Sequence, residues 1–178
     1  MVIRDEQEAD RAAVRALQRA AFHTHPGQVA DLVDDLREIV VRGDGLSLVA
    51  ELDGEVVAHL MFTQSLLDAP RELVPVQVLS PVGVLPDRQG RGIGSALIRH
   101  GLALLAAQTR PLVFLEGSPR YYRRFGFEPG AALGFRKPSL RIPDEAFQAV
   151  TLPAYEEWMT GTLVYDAAFW RNDCVGLR

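Results

Sequence analysis

The sequence predicts an α/β fold in which helices flank a mixed β-sheet. Segments with helical and with strand periodicity follow the order helix, helix, hairpin, strand, helix, strand, helix, strand. With 178 residues the chain is long enough for one domain with a substantial core and short for two. We therefore expect residues 1–178 to form a single domain.

Two amphipathic helices are predicted ahead of the main sheet, preceded only by a short strand at residues 1–3. ADRAAVRALQRAAF places Val14, Leu17 and Ala21 on one helical face and arginines on the opposite face. GQVADLVDDLRE repeats the pattern with four apolar residues: Val29, Leu32, Val33 and Leu36.

LSLVAELDGEVVAHLMFTQS predicts a β-hairpin, because Asp53-Gly54 separates two runs with strand character. Asp-Gly tolerates the positive φ angles of a type I′ turn. VQVLSPVGVLP predicts the next strand, and an apolar helix is expected over residues 93–107.

The remaining elements are shorter. PLVFLEG predicts a buried strand, and SPRYYRRF predicts a helix with Ser118 as its N-cap and Pro119 at its first position. TLVYDAAF predicts a final strand, and EPGAALGFRKPS is expected to be mostly loop.

Charge and composition exclude several classes of protein. The formal net charge of -4 argues against a broad nucleic-acid-binding face. No run reaches the roughly 20 apolar residues that span a bilayer, and the first residues lack the apolar core of a signal peptide. We therefore expect a cytoplasmic protein without a membrane partner. The single cysteine, Cys174, excludes an internal disulfide and a cysteine-rich zinc site, and no metal is expected.

The strand segment SPVGV is irregular. Pro81 cannot donate a ladder hydrogen bond and Gly83 has no side chain to pack, which favours a bulge or a strand that parts from its neighbour. The unpaired backbone of such a strand could pair with a ligand that carries amides. An edge strand with a harmless proline is the alternative.

RQGRGIGS follows this strand at the predicted start of a helix. Backbone amides there lack intrahelical partners and favour an anion. Three glycines at alternate positions would let a diphosphate approach the backbone, and Arg88 and Arg91 add positive potential. A flexible turn before a capped helix is the alternative.

A dinucleotide-binding fingerprint is a further interpretation of this glycine segment. Glu116 lies about 20 residues beyond the glycines, where such a fingerprint has an acidic residue that binds the ribose. This interpretation is disfavoured because Ser95 replaces the third glycine and residues 86–89 separate the strand from the glycines.

VGVLPDRQGRGIGSALI resembles motif A of the GCN5-related N-acetyltransferase (GNAT) superfamily, whose signature is Gln/Arg-x-x-Gly-x-Gly/Ala. A second motif of that superfamily, Tyr-x-x-x-Gly-Phe, is matched near RYYRRFGF. SPRYYRRFGFEPGAALGF is similar to the YhbS-like subgroup of predicted bacterial acetyltransferases. The matching positions are Gln89, Gly92, Gly94, Tyr122, Gly126 and Phe127.

The resemblance implies a mixed, mostly antiparallel sheet with a V-shaped opening between its fourth and fifth strands and helices on both faces. It implies an N-acetyltransferase that moves acetyl directly from acetyl-coenzyme A to a primary amine. The segment 89–95 would hold the pyrophosphate, and the strand end at 82–84 would pair with pantetheine. The expected cofactor-binding residues are Val82, Gly83, Val84, Arg88, Gln89, Gly90, Arg91, Gly92, Ile93, Gly94 and Ser95.

The resemblance also places Tyr122 in the position of the general acid, which protonates the departing thiolate. The glutamate that many members carry before motif A is absent, because residues 79–81 read Leu-Ser-Pro. Glu116 is our candidate base, since it follows apolar neighbours that would raise its pKa. A solvated acid at a strand end, Glu51, His59 and a water relay are the alternatives.

The acceptor is expected to be a small molecule or a peptide with a primary amine. Five aromatic residues near the end of the chain could line its pocket, pack in the core or form a homodimer contact: Tyr155, Trp158, Tyr165, Phe169 and Trp170. The alternative function is a non-catalytic acyl-coenzyme A sensor.

Overall fold

The computed structural model describes residues 1–177. The strands in that range are β1 (Val2–Asp5), β2 (Gly45–Leu52), β3 (Glu55–Asp68), β4 (Leu73–Val84), β5 (Leu112–Glu116), β6 (Glu128–Pro129), β7 (Phe135–Arg136), β8 (Phe147–Thr151) and β9 (Gly161–Val164). The α-helices are α1 (Arg11–Ala21), α2 (Pro26–Val41), α3 (Ile93–Ala107), α4 (Pro119–Tyr122) and α5 (Ala167–Arg171).

The chain forms two compact units, and β3, β4 and α3 contribute residues to both. The first unit comprises Met1–Thr63 and Ser80–Leu102. The second comprises Gln64–Leu79 and the chain from Ala103 onward.

In the first unit, β1, β2 and β3 form an antiparallel ladder in which Ile3 faces Ala50 and Leu48 faces Leu60. The hairpin prediction is confirmed, because Asp53 and Gly54 connect β2 to β3 with φ angles of 53° and 82°. Both predicted amphipathic helices are also confirmed. Six of the seven apolar residues predicted on their inner faces are buried, and Ala21 is half-buried; the buried ones are Val14, Leu17, Val29, Leu32, Val33 and Leu36.

In the second unit, β5 lies parallel to β4 and antiparallel to β8. The β4–β5 pairing covers only Gln77 with Val113 and Val78 with Phe114, whereas β5 and β8 pair at five positions. The short strand β6 pairs with β8, while β9 pairs with β3 and β7. The sheet is therefore mixed and mostly antiparallel, as predicted.

The end of the chain departs from the predicted secondary structure. The segment TLVYDAAF is strand only as far as Val164, because the Asp166 carboxylate accepts a hydrogen bond from the Ala168 amide at 2.8 Å and caps α5. The strand β8 was not predicted, since its burial comes from pairing with β5. Ser118 does occupy the N-cap position of α4, but its side chain makes no capping hydrogen bond.

Candidate active site

The end of β4 lies against α1 in the first unit. A Cβ atom at Gly83 would lie 2.5 Å from Oε1 of Gln18 and 2.9 Å from Cδ2 of Leu17. Helix side chains therefore occupy the space that a side chain at position 83 would need. Beyond this point, the Gln89 side-chain amide donates to the carbonyl oxygen of Val84 at 3.1 Å, which ties the following loop to the strand end.

The loop over residues 89–95 turns its backbone toward open space. Gly90 and Gly92 have φ angles of 74° and 82°, and a Cβ atom at either position would meet nothing within 4 Å. The helix α3 begins at Ile93, so its first amides lack intrahelical acceptors. The first bond that closes this turn runs from the Ala96 amide to the Gly92 carbonyl, at 2.9 Å. An anion can therefore approach these amides closely, which is the fit that a pyrophosphate needs.

The two arginines of this segment differ. Arg88 lies 3.6 Å from Glu55 and 3.4 Å from Asp87, so nearby carboxylates offset its charge. Arg91 is exposed and forms no ion pair with any residue of the described chain. Arg91 is thus the better placed of the two to attract a phosphate.

Tyr122 lies in an aromatic cluster of the second unit. Its ring centroid lies 4.9 Å from that of Tyr121 and 5.9 Å from that of Phe127. Within residues 1–177 its hydroxyl makes no hydrogen bond. Burial raises the pKa of Tyr122 above its ordinary value, so the hydroxyl keeps its proton at neutral pH.

Gly117 makes room for this ring. A Cβ atom at position 117 would lie 2.9 Å from Cδ2 of Tyr122, closer than real side chains pack. We expect Gly117→Ala to displace the ring and, if Tyr122 is the general acid that the sequence resemblance implies, to lower kcat at least about tenfold, because a catalytic group tolerates little misplacement. Steady-state kinetics test this. Gly27→Ala, at a position with open space, is the control. If Tyr122 is the group affected, Gly117→Ala should cost little further activity in a Tyr122→Phe background.

The alternative in which Glu116 is a solvated acid at the end of a strand is not what the structure shows. Its carboxylate accepts hydrogen bonds from the Tyr165 hydroxyl at 2.8 Å and from the Gly176 amide at 2.9 Å. Burial raises the pKa of Glu116, as expected from its apolar neighbours. Tyr165 itself is a buried residue that stacks on Phe169 with ring centroids 4.7 Å apart. The sequence offered no pattern that paired Tyr165 with Glu116.

The other candidate bases have structural partners. Glu51 forms an ion pair with Arg4 at 2.9 Å. His59 is completely buried, with Nδ1 2.7 Å from the Gln18 side-chain nitrogen and Nε2 2.9 Å from the Ser47 hydroxyl. No surface of His59 is available to a substrate.

The hydrogen bonds of His59 continue to a buried ion pair. Ser47 lies 2.5 Å from Glu6, whose other oxygen accepts from Arg37 at 2.6 Å. Burial alone would raise the pKa of Glu6, but the nearby His59 and the hydrogen bonds from Arg37 and Ser47 outweigh it and lower the pKa to about 2. Because ionised Glu6 only accepts, Ser47 donates to it, and His59 in turn donates to Ser47. Nδ1 of His59 is then the acceptor for Gln18, whose Oε1 is left without a partner among the described residues.

This network predicts that stability falls in acid. Burial lowers the pKa of His59 from its ordinary 6.5, so below pH 6.5 the unfolded chain binds more protons than the folded protein. The free energy of unfolding therefore decreases as pH falls through this range, and protonation of Glu6 extends the loss below pH 4.5 toward about 2. Urea unfolding at several pH values measures the effect. The part of the slope that begins near pH 6.5 should disappear in His59→Gln and persist in His100→Gln, which changes an exposed histidine. An unchanged slope in His59→Gln would contradict this assignment.

Comparison with known proteins shows to which family the chain belongs. A family model described as "Acetyltransferase (GNAT) domain" matches residues 2–130. The chain belongs to the GNAT acetyltransferase family. It is 34% identical over 139 residues to the "Uncharacterized N-acetyltransferase YjhQ" of Escherichia coli, covering 78% of this chain and 75% of that protein. Membership in this family argues against the dinucleotide-binding interpretation of the glycine segment.

Solved structures support the same family and the YhbS-like subgroup. The GNAT family N-acetyltransferase YhbS from E. coli, solved in complex with CoA, superposes with a TM-score of 0.83 at 31% identity, covering 96% of this chain and 92% of that one. A GNAT family acetyltransferase from Brucella melitensis, solved with acetyl-CoA, gives a TM-score of 0.75 at 35% identity, covering 94% and 97%. The protein is an acetyl-CoA-dependent GNAT N-acetyltransferase.

A second group of relatives is longer than this chain. The mycothiol acetyltransferase of Streptomyces griseus is 39% identical over 132 residues, which make up 68% of this chain and 41% of that protein. The GNAT chain thus spans about two fifths of that relative's length.

Two further structural observations concern metals and membranes. Within residues 1–177, no group of three His, Cys, Asp or Glu side chains is arranged to hold a metal ion. None of the described helices combines the length and the apolar character needed to cross a membrane.

Proposed function

We propose that this GNAT enzyme transfers acetyl directly from acetyl-CoA to a primary amine, with no covalent acetyl-enzyme. The observation that carries this proposal is the hydroxyl of Tyr122, which burial keeps protonated and which has no hydrogen-bond partner in the described chain. Such a hydroxyl is available to a leaving group. The one cysteine, Cys174, is buried, so it is poorly placed to act as a nucleophile.

The acyl donor binds through motif A in this proposal. The amides of residues 89–95 hold the pyrophosphate, and Arg91 adds charge at the same loop. The strand end at 82–84 pairs with pantetheine, and the Val84 amide donates to the thioester oxygen. Support comes from the open backbone at Gly90 and Gly92, where a Cβ atom would meet nothing within 4 Å. A donor aimed at that oxygen stabilises the charge that develops there during attack.

The proposed transfer conserves atoms and charge. The ammonium of the acceptor first loses a proton, and the neutral nitrogen attacks the thioester carbon to form a tetrahedral intermediate. The carbon–sulfur bond then breaks, the nitrogen loses its second proton, and the sulfur takes a proton from Tyr122. Tyr122 regains a proton from those released, so the net products are an acetamide, free CoA and one proton.

Tyr122 is best suited to donate a hydrogen bond that becomes a proton transfer late in the reaction. A thiol has an ordinary pKa of about 8.5 and a phenol one of about 10, so the thiolate is the weaker base. Burial raises the pKa of Tyr122 further. Full ionisation of the phenol is thus unfavourable, and the proton moves only as the sulfur acquires charge and the phenol is reprotonated.

Glu116 is the proposed base for the ammonium. The pKa of Glu116 is raised, so it lies closer to the pKa of an amine than the pKa of an ordinary carboxylate does. Each carboxylate oxygen accepts one hydrogen bond and has a second lone pair that can accept a proton. A water relay performs the same step if Glu116 only holds Tyr165 and Gly176. We further propose that residues 1–178 act as one catalytic domain on small-molecule or peptide amines.

A coenzyme A release screen tests the function. The full chain is incubated with acetyl-CoA and a panel of amino acids, aminoglycosides, polyamines, arylalkylamines and peptides, and free thiol is measured. We expect thiol release with at least one class and formation of the matching acetamide by mass spectrometry. Binding of acetyl-CoA without release for any amine would instead favour a non-catalytic acyl-CoA sensor.

A further inference from the structure

A cavity of about 370 Å³ opens beside Glu116 in the second unit. We call it the acidic cavity and define it by Glu116, Gly117, Pro143, Glu145, Ala146 and Leu177. It adjoins the aromatic cluster, because the space above Gly117 is filled by the ring of Tyr122. Both groups that we assign to proton transfer therefore lie at or next to its wall.

The charge of the acidic cavity is only partly offset by cations, since Arg141 is the one cation among the causes that shift the pKa of Glu116. Neither Glu116 nor Glu145 forms an ion pair with another described residue. Two basic side chains near it in sequence have acidic partners, since Lys137 pairs with Asp144 and Arg141 pairs with Asp173, each at 2.5 Å. Two carboxylic acid residues in the lining therefore favour a cationic ligand.

Apart from Ser118 and the backbone of Gly117, the remaining lining is apolar, and the volume is small. Hydrocarbon surface comes from Pro119, Pro143, Ala146 and Leu177. Small-molecule sites commonly enclose about 300–1,000 Å³, so this cavity lies at the lower end of the range. A long polyamine or an aminoglycoside would bring several charges or hydroxyls against an apolar wall, where each lost hydrogen bond to water is unfavourable.

We propose that the acidic cavity binds the acceptor, and that this acceptor is a small primary amine with one cationic nitrogen and a compact apolar body. The ammonium lies between Glu116 and Glu145, and the apolar body contacts Ala146 and Leu177. A role of this cavity in catalysis rests on the proposed acetyl transfer. Binding of the amine to the cavity does not depend on that transfer.

The test is calorimetric titration of 2-phenylethylamine into the full chain saturated with CoA, so that no turnover occurs. We expect the amine to bind, and its neutral analogue 2-phenylethanol, spermidine and kanamycin to bind at least about tenfold more weakly. Ala146→Phe, which fills the cavity, should abolish amine binding. Glu145→Gln, at an exposed position, should weaken it about two- to fivefold, whereas Glu157→Gln, which removes an exposed acid outside the cavity, should not.

The outcomes separate the two proposals. No binding of 2-phenylethylamine to the wild-type chain, or unchanged binding in both cavity variants, overturns the acidic cavity as the amine site. Tighter binding of spermidine or kanamycin overturns the proposed substrate class. Binding that depends on Ala146 and Glu145 without any acetylation keeps the amine site and instead overturns the proposed transferase mechanism.

Discussion

Replacing Tyr122 by phenylalanine is expected to lower kcat about 100-fold, the size of effect typical for loss of a positioned proton donor. The ring stays in place beside Gly117 and Phe127, so the aromatic packing is conserved. Only the hydroxyl that would stabilise the departing thiolate is lost. The KM for acetyl-CoA should change little, because this interaction forms in the transition state rather than in the bound ground state.

Tyr121→Phe is the matched control for this variant. Tyr121 is the neighbouring tyrosine in the same cluster, and its ring lies edge-on to that of Tyr122 with centroids 4.9 Å apart. Its replacement should leave kcat within a few-fold of wild type. The pH profile adds a further readout, since the rate should not fall at neutral pH through ionisation of a phenol whose pKa is raised. Undiminished turnover in Tyr122→Phe would remove Tyr122 as the acid.

Replacing Gly92 by alanine should raise the dissociation constant for acetyl-CoA about tenfold. Gly92 has a φ of 82°, where an L side chain is disfavoured by about 1–2 kcal/mol. The loop can relieve this strain only by leaving the conformation that aims the amides of residues 89–95 at the pyrophosphate. Binding must then restore that conformation, and each 1.4 kcal/mol of free energy that this requires weakens binding about tenfold.

Gly43→Ala controls for strain alone. Gly43 has a φ of 86° and, like Gly92, has open space where a Cβ atom would lie, with nothing within 4 Å, but it follows α2 far along the sequence from motif A. Both variants should lose similar thermal stability, and only Gly92→Ala should lose affinity when acetyl-CoA binding is measured by calorimetry. Equal affinity in the two variants would contradict a role for the loop backbone.

Local sequence patterns predicted the first part of the fold well. The hairpin followed from Asp53-Gly54, whose turn chemistry is local, and the two amphipathic helices followed from apolar spacing. The last third was predicted poorly. The strand β8 is buried through its pairing with β5, and that pairing leaves no periodic pattern in its five residues. The aspartate cap of α5 was present in the sequence and was missed inside a segment that otherwise resembles a strand.

In the candidate site, too, features that depend on a short segment were predicted and features that depend on distant residues were not. The glycines of motif A and Tyr122 were identified from short motifs, since each requirement is local to its own segment. The surroundings of Glu116 were not, because Tyr165 and Gly176 lie 49 and 60 residues further along the chain. Gln18 was missed for the same reason, since only the folded chain places its amide oxygen where a side chain at Gly83 would lie.

The most direct test of the acetyl-CoA site is amide hydrogen exchange with and without acetyl-CoA, followed by mass spectrometry. We predict that binding slows exchange most strongly in peptides that contain residues 82–84 and 89–95, because those amides would then donate to the thioester and the pyrophosphate. Acetyl-CoA binding that leaves these peptides unprotected, with slowed exchange elsewhere, would contradict the assignment of motif A in this chain.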